Sequence, residues 1–247
     1  MRIMMAGDTH GSLPWTLHLL DKALFFEANL IFVLGDFGYW PRFGDGRDFI
    51  YKLEHQLKKN CMPLAWIDGN HEDHDELDKL IGDGDEAVDI TDHITFMPRG
   101  YGWNWDSKRF VALGGATSID MDLRTPGKTW FPQEDITDEQ VKRAKNNGYA
   151  NVLLTHDAPL GTTLDITMPS SFTKESPSRR AEIEAKARVN RGLIADVANY
   201  LDVDYIFHGH HHTAYRSQIK LDDKWLTVEG LACHQMNGAW TIFDTEA

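Results

Sequence analysis

Cysteine is scarce in this chain. Two residues, Cys61 and Cys233, stand among 247, too few for a disulfide framework, and neither lies in a CxxC pair. A reducing, cytoplasmic setting is the expectation. Long apolar runs are missing as well, and no stretch approaches the ~20 residues that cross a bilayer. The opening run Ile3–Ala6 is broken at once by Gly7-Asp8-Thr9-His10, which no secretory leader would carry. The expected protein is soluble and makes no use of a membrane. Basic charge is in deficit, with 25 Lys and Arg against 38 Asp and Glu and a formal net charge of −13. That field repels nucleic-acid backbones, so non-specific nucleic-acid binding is set aside. Repeats and low-complexity tracts are also lacking.

What is present is enough apolar material for a sizeable core, 42% hydrophobic and 11% aromatic, which excludes disorder. Histidine is abundant and clustered: five of the twelve fall in segments 71–74 and 210–212, a clustering that points to metal.

Short apolar runs alternate with helical patterns: Arg2–Ala6, then Leu13, Leu17, Leu20 and Leu24 at helical spacing, then Leu30–Leu34, an amphipathic Asp48–Lys59, and Met62–Ile67. This is the rhythm of a largely parallel sheet covered by helices. Each strand ends in a polar cluster, Gly7-Asp8-Thr9-His10, Gly35-Asp36 and Asp68-Gly69-Asn70-His71, and ligands in such sheets bind at the carboxyl ends of strands. Ile94–Met97, Gly100–Trp105 and Arg109–Leu113 are short, aromatic or β-branched, and predict antiparallel strands of a second sheet. Thr137 and Gln140 predict a capping box ahead of a helix stopped by Gly148. The strand Asn151–Leu154 then delivers Thr155-His156-Asp157. Leu160–Pro177 reads as a loop or lid, before a charged helix over Ser178–Tyr200. The strand Tyr205–Phe207 ends in Gly209-His210-His211-His212, and a hairpin around Asp222-Asp223 and a strand near Trp240 close the chain. The expectation is one domain over 1–247 with an insertion around 160–200.

In order, the strand ends offer Asp8, His10, Asp36, Asn70, His71, His156, His210 and His212. Carboxylate oxygen, amide oxygen and imidazole nitrogen suit Mn²⁺, Fe²⁺ or Zn²⁺. An i, i+2 pair in extended chain projects both side chains to one side, which would bring Asp8 to His10 and His210 to His212. Two ions sharing a carboxylate would use the whole set.

Asp8-x-His10, Gly35-Asp36, Gly69-Asn70-His71, His156 and Gly209-His210-x-His212, in this order from residue 8 to 212, resemble the signature of the calcineurin-like metallophosphoesterases. The segment from Leu113-Gly114-Gly115-Ala116 to Trp130-Phe131-Pro132 resembles bacterial and bacteriophage members. The resemblance implies a four-layer α/β/β/α sandwich of two mixed sheets flanked by helices, with two divalent ions at its edge, Mn²⁺ first and Fe or Zn as alternatives. By position, Asp8, His10 and His212 would hold one ion, Asn70, His156 and His210 the other, and Asp36 both. His71 would lie beside the leaving group as the catalytic proton donor. Two ions about 4 Å apart clamp a phosphoryl group and make bridging hydroxide available near neutral pH, while an imidazole protonates the leaving oxygen.

Gly7-Asp8-Thr9-His10-Gly11 and Gly69-Asn70-His71-Glu72 are similar to the phosphoprotein phosphatase branch, whose members carry an arginine after the bridging aspartate and another before Gly-Asn-His. Gly38-Tyr39-Trp40 and Asp68 stand in those places here. Without guanidinium contacts, and with Asp68 expected to repel a dianion, a small phosphodiester substrate is favoured over a phosphomonoester. The alternatives are a phosphomonoesterase or phosphoprotein phosphatase, then a nuclease or a non-catalytic metal-binding scaffold. Tyr39 occupies the position of the family's orienting aspartate, leaving Asp45 and Asp73 as candidate partners of His71. His74 and His211 read as solvated surface and His208 as core or outer-sphere. Trp103 and Trp105 read as the core face of a hairpin rather than base-stacking groups. Arg179, Arg180, Lys186, Arg188 and Arg191 read as a solvated helix face, with Arg99 and Arg124 as candidate substrate contacts.

Overall fold

Arg2–Ala6 (β1), Leu30–Leu34 (β2) and Leu64–Ile67 (β3) carry almost no polar alternation, the pattern of parallel strands covered on both faces. They are parallel neighbours in a computed structural model that describes residues 1–82, 84, 86–162, 164 and 177–246. Between them run Leu13–Phe25 (α1), opened by Pro14, and Gly44–Asn60 (α2). His74–Ile81 (α3) follows β3, with the Asp73 carboxylate accepting from the Glu76 backbone at its start.

The first sheet continues through Ile94–Phe96 (β5), parallel to β3, and Val88–Asp89 (β4), antiparallel to β5. On its other side Trp240–Asp244 (β12) pairs antiparallel with β1. Its order is β12-β1-β2-β3-β5-β4. The expectation that Ile94–Met97 belongs to the second sheet is therefore corrected. Three residues of β-propensity show that a strand exists, but its partner is chosen by the main-chain groups that β3 leaves open.

The second sheet takes Gly102–Trp105 (β6), Lys108–Leu113 (β7), Val152–Thr155 (β8), Tyr205–His208 (β9), Tyr215–Leu221 (β10) and Lys224–Gly230 (β11), in the order β10-β11-β9-β8-β7-β6. Its four inner strands are parallel, and only the edge pairs β6–β7 and β10–β11 are antiparallel. Asp138–Lys145 (α4) opens on the Thr137–Gln140 capping box, as expected. Pro177–Tyr200 (α5) covers the same face. The expected lid over Leu160–Pro177 lies largely outside the described residues.

Alternation along the strands sorts the side chains into three cores. Met4, Val33, Leu64 and Trp66 face α1 and α2 through Leu19, Ala23, Phe49 and Leu53. Ile3, Met5, Phe32, Leu34 and Ile67 face the other sheet through Phe110, Ala112, Val152 and Phe207. Val111, Leu153, Ile206 and Val228 face α4 and α5. The result is the four-layer sandwich, helices outside and two mixed sheets within. Trp103 lies in the inter-sheet core, 6.0 Å from the Phe32 ring and 5.1 Å from Trp105. Both indoles are spent on packing, as the hairpin reading expected. Along α5, Arg179 and Lys186 are not a free solvated face but pair with Asp122 and Asp135 of the 117–135 segment.

Trp66 is fully buried, with ring centroids 4.6 Å from Phe96 and 4.9 Å from Phe37. Trp66→Ala should lower stability by about 3–5 kcal/mol, the usual cost of deleting a large buried ring. Urea denaturation followed by circular dichroism measures this, and a loss below 1 kcal/mol would mean that the helix layer is not anchored there.

Candidate metal centre

The strand ends that carry the polar clusters meet at one edge of the sandwich. They do so through tight turns, not extended chain. His10, Asp36, His210 and His212 all have left-handed backbones, with φ of 48°, 49°, 65° and 51°. Such conformations cost on the order of 1–3 kcal/mol each for residues other than glycine, and surrounding bonds must hold them. Here the His10 amide donates to the Asp36 carbonyl at 2.7 Å, and the Gly11 amide and Thr9 hydroxyl both donate to the Phe37 carbonyl at 2.9 Å. Gly69 shows why the loops can close so tightly: a Cβ there would lie 2.1 Å from Asp36 Oδ1 and 2.7 Å from His156 Nε2.

Two donor groups result. Asp8 Oδ2 lies 2.9 Å from His212 Nε2 and 3.7 Å from His10 Nε2, and the two imidazole nitrogens are 3.3 Å apart. On the other side His156 Nε2 lies 3.1 Å from Asn70 Oδ1 and 3.3 Å from Asp36 Oδ1. The two groups are linked through Asp8, whose carboxylate also forms a set with Asp36 and His156, donor atoms within 4.8 Å of one another. The extended-pair expectation is met for Asp8 with His10, by turn geometry instead. The His210 ring packs edge-on against His156 at 5.0 Å, and its donor atom forms a set with those of Asp157 and His211, all three within 4.8 Å of one another.

The donor chemistry fits a divalent cation. A carbonyl oxygen can only accept, so the 2.7 Å contact from His156 Nδ1 to the Leu34 carbonyl places a proton on Nδ1 and turns Nε2 toward Asn70 and Asp36. The amide of Asn70 is oriented in the same way. Its Nδ2 donates to Ser118 Oγ at 2.9 Å, and that hydroxyl donates in turn to the buried Glu134 carboxylate, so the Asn70 oxygen is the atom left facing His156. Arg124 fastens the loop from outside, donating to the Asn70 carbonyl at 2.9 Å. The buried Glu72 carboxylate accepts from the amides of Gly69 at 2.7 Å and Gly38 at 3.2 Å, tying two site loops together. His71 lies beside this group, its amide donating to Asp36 Oδ1 at 2.8 Å.

Several expectations need correction. Asp68 does not direct a charge at a substrate: it is buried, and Arg99 Nε donates to its carboxylate at 2.8 Å. Arg99 is thereby removed from the candidate substrate contacts. His74 is buried rather than solvated, bonded to the Gly69 carbonyl at 3.1 Å, and burial lowers its imidazole to about 4. His211 is bound to the buried Asp157 at 2.8 Å. Neither candidate partner of His71 takes that place. Asp73 is committed to Arg42 and the start of α3, Asp45 is exposed on α2, and the charged side chains around His71 are Asp36, Arg124 and Asp120. Tyr39 is buried against Trp66, at 5.5 Å. Two participants carried no motif: Ser118, and His234 between β11 and β12, whose ring lies 5.4 Å from that of His10.

Residues 1–214 match the calcineurin-like phosphoesterase family. Among solved structures, the chain is similar to TT1561 of Thermus thermophilus, with 11% identity, 98% of each chain covered and a TM-score of 0.55. Matches also include an archaeal phosphodiesterase, at 13% identity over 100% of this chain and 94% of that one, TM-score 0.46. A phosphoesterase from E. coli matches at 15% identity over 99% and 89%, TM-score 0.42. No curated protein matches. Among the described residues, no helix is long and apolar enough to cross a membrane.

Burial by itself would lower the His156 imidazole, but the carboxylates of Asp36 and Asp8 and the Leu34 carbonyl override it and raise it to about 10. Without a cation, the protonated ring is the counter-charge of the two aspartates. Its folded value lies above the unfolded one, so this stabilisation is complete below about pH 6.5 and is lost as pH rises through about 10. A divalent ion at Nε2 must displace that proton. Mn²⁺ binding should therefore release protons, and its affinity should rise up to ~10-fold per pH unit between pH 6.5 and 8.5. Isothermal titration in buffers of different ionisation enthalpy checks this; a pH-independent affinity would contradict it.

Proposed function

Since the chain belongs to the calcineurin-like phosphoesterases, a family of binuclear metal enzymes, we propose that it is a metal-dependent phosphodiesterase acting on small diesters, cyclic nucleotides or nucleotide-derived diesters. The observation that supports this reading is the pair of adjoining donor sets, Asp8 with His10 and His212 and Asp8 with Asp36 and His156, each within 4.8 Å, with the Asn70 oxygen 3.1 Å from His156 Nε2. In this assignment Asp8, His10 and His212 hold one ion, Asn70, His156 and His210 the other, and Asp36 both. The bound ions would polarise the phosphoryl group and lower the pKa of a water toward roughly 7. Mn²⁺ is the proposed metal on donor chemistry. A cytoplasmic location is proposed with it, since Cys61 and Cys233 are both free thiols.

The chain's own groups would do the rest. The Asp36 contact to the His71 amide keeps that imidazole at the rim, where it can give a proton to a departing alkoxide. Burial lowers the His71 imidazole, and the Asp36 carboxylate opposes this. The preference for a diester now rests on the two missing arginines alone, because Arg99 neutralises Asp68. Arg124, beside His71, is spent on the Asn70 carbonyl and the buried Glu134 carboxylate, so the phosphomonoesterase alternative rests on the likeness of Gly69-Asn70-His71-Glu72 to the phosphatase branch. A comparison of cyclic nucleotides, model diesters and monoesters, with Mn²⁺ restored after chelation, should give the higher kcat/KM on a diester with the same leaving group. A monoester better by tenfold or more would install the phosphatase reading, and full turnover in the chelated protein would end the metal reading.

His71→Ala should leave both ions bound and lower the rate by roughly 10²–10⁴-fold on a nucleoside diester, the usual loss for a positioned general acid. On nitrophenyl esters the loss should be smaller, since nitrophenolate departs without a proton. Equal losses on both substrates, or loss of an ion measured by atomic absorption, would show instead that His71 binds metal or ground state.

A further inference from the structure

The turn after β9 carries two imidazoles of the metal centre, and His211, the residue between them, has no role so far. His210 and His212 both have left-handed backbones, at φ of 65° and 51°. The turn is also pressed against Asp8: a Cβ on Gly209 would lie 2.2 Å from Asp8 Oδ1. Backbone donors fix where it begins, the Gly209 amide on the His156 carbonyl at 3.1 Å and the His210 amide on Asp8 Oδ1 at 2.9 Å. Beyond His210 a side chain takes over the anchoring. The His211 ring is largely buried, and its Nε2 lies 2.8 Å from Asp157 Oδ1.

Asp157 is well placed to be that anchor. It is buried just past the end of β8, directly after His156. Its Oδ1 accepts from the Ala158 amide at 2.7 Å and its Oδ2 from Asn190 Nδ2 at 3.2 Å. Asn190 is itself buried in α5, its Oδ1 accepting from the Ile136 amide at 3.0 Å. The Leu160 amide donates to the Arg191 carbonyl at 2.9 Å, so α5 clasps the segment after β8. A buried carboxylate whose other bonds come from neutral amides holds an imidazole N–H firmly, because losing that donor strands the charge. The grip falls on a ring flanked by ligand residues, and the donor atoms of Asp157, His210 and His211 lie within 4.8 Å of one another. Contacts of this outer kind keep the lone pairs of metal ligands aimed before an ion arrives.

We propose that Asp157 and His211 are positioning residues of the metal centre: the buried carboxylate grips the His211 ring and so holds the turn that aims His210 at one ion and His212 at the other. This rests on the phosphoesterase reading above, which assigns those two ligands. It is tested by calorimetric titration with Mn²⁺ and by thermal unfolding of the metal-free protein, on the parent and three variants. His211→Ala should weaken Mn²⁺ binding by roughly 10–100-fold, the usual loss when an outer contact of a metal ligand is removed. It also strands the Asp157 charge, so its unfolding temperature should fall. The double variant Asp157→Asn/His211→Ala removes that charge and should regain unfolding temperature, yet bind Mn²⁺ as weakly as His211→Ala, because the tie is still missing. His211→Gln puts an amide N–H donor in place of the imidazole one and should restore most of the affinity. Affinity that returns with stability in the double variant would show a purely structural role and overturn the proposal. No loss in His211→Ala, or a His211→Gln equally weak, would overturn it as well. So would a parent that takes up a third ion lost in His211→Ala, since Asp157, His210 and His211 would then be an ion site of their own. A parent that binds Mn²⁺ but cleaves no ester would sink the activity reading while the affinities still judged the pair. A parent that binds no Mn²⁺ would sink the positioning proposal itself.

Discussion

Two carboxylates, Asp8 and Asp36, sit shielded from water at the ends of neighbouring parallel strands, and each raises the charge problem of the other. Burying one carboxylate is expensive and burying two together is more so, unless cations and hydrogen bonds surround them. The fold answers in two ways. Each carboxylate accepts a backbone amide from a distant loop, Asp8 from His210 and Asp36 from His71. Histidines crowd around both, and without a divalent ion the proton on His156 supplies the missing positive charge. Metal and proton are therefore rivals for one electrostatic position.

The loops around these carboxylates are kept in costly conformations by groups that never face the site. Glu72 ties Gly38 to Gly69, and the Arg99–Asp68 pair holds the start of the Asn70 turn from behind, with the Asp68 carbonyl accepting from the Gly115 amide at 2.9 Å. Breaking such a buried pair by removing one partner leaves an uncompensated charge, worth about 3–5 kcal/mol. Its effect on chemistry would be indirect, through the Asn70 oxygen that Ser118 and Glu134 orient. A preorganised centre of this kind spends fold stability to keep lone pairs aimed at one volume.

Residue patterns alone revealed β1, β2, β3, β8 and β9, because strands covered on both faces must be apolar throughout, and revealed the polar turn after each. The α4 capping box was equally readable, being a local hydrogen-bond device. The partner of Ile94–Phe96 was not, since a three-residue strand contains no information about which neighbour has open backbone groups. Asp68 was misread for a related reason. Its sign suggested repulsion, but Arg99 lies 31 residues away and only folding shows that the two cancel. His74 and His211 misled similarly, because a histidine beside a polar motif looks solvated until its partners, the Gly69 carbonyl and the Asp157 carboxylate, are in place.

The sequence by itself determined a parallel sheet covered by helices, a second sheet and the donor chemistry at the strand ends, because element periodicity and ligand type are local properties of the chain. The four-layer arrangement was implied by the resemblance to the calcineurin-like family. The tertiary structure decided everything that depends on distances between loops. It set which nitrogen of His156 faces the site and which atom of Asn70 faces it, and it drew His210 toward Asp157 and His211. It also brought His234 to the rim. These are decided by hydrogen bonds across long sequence separations, from Leu34 to His156 and from Ser118 to Asn70, whose partners become neighbours only when the two sheets pack.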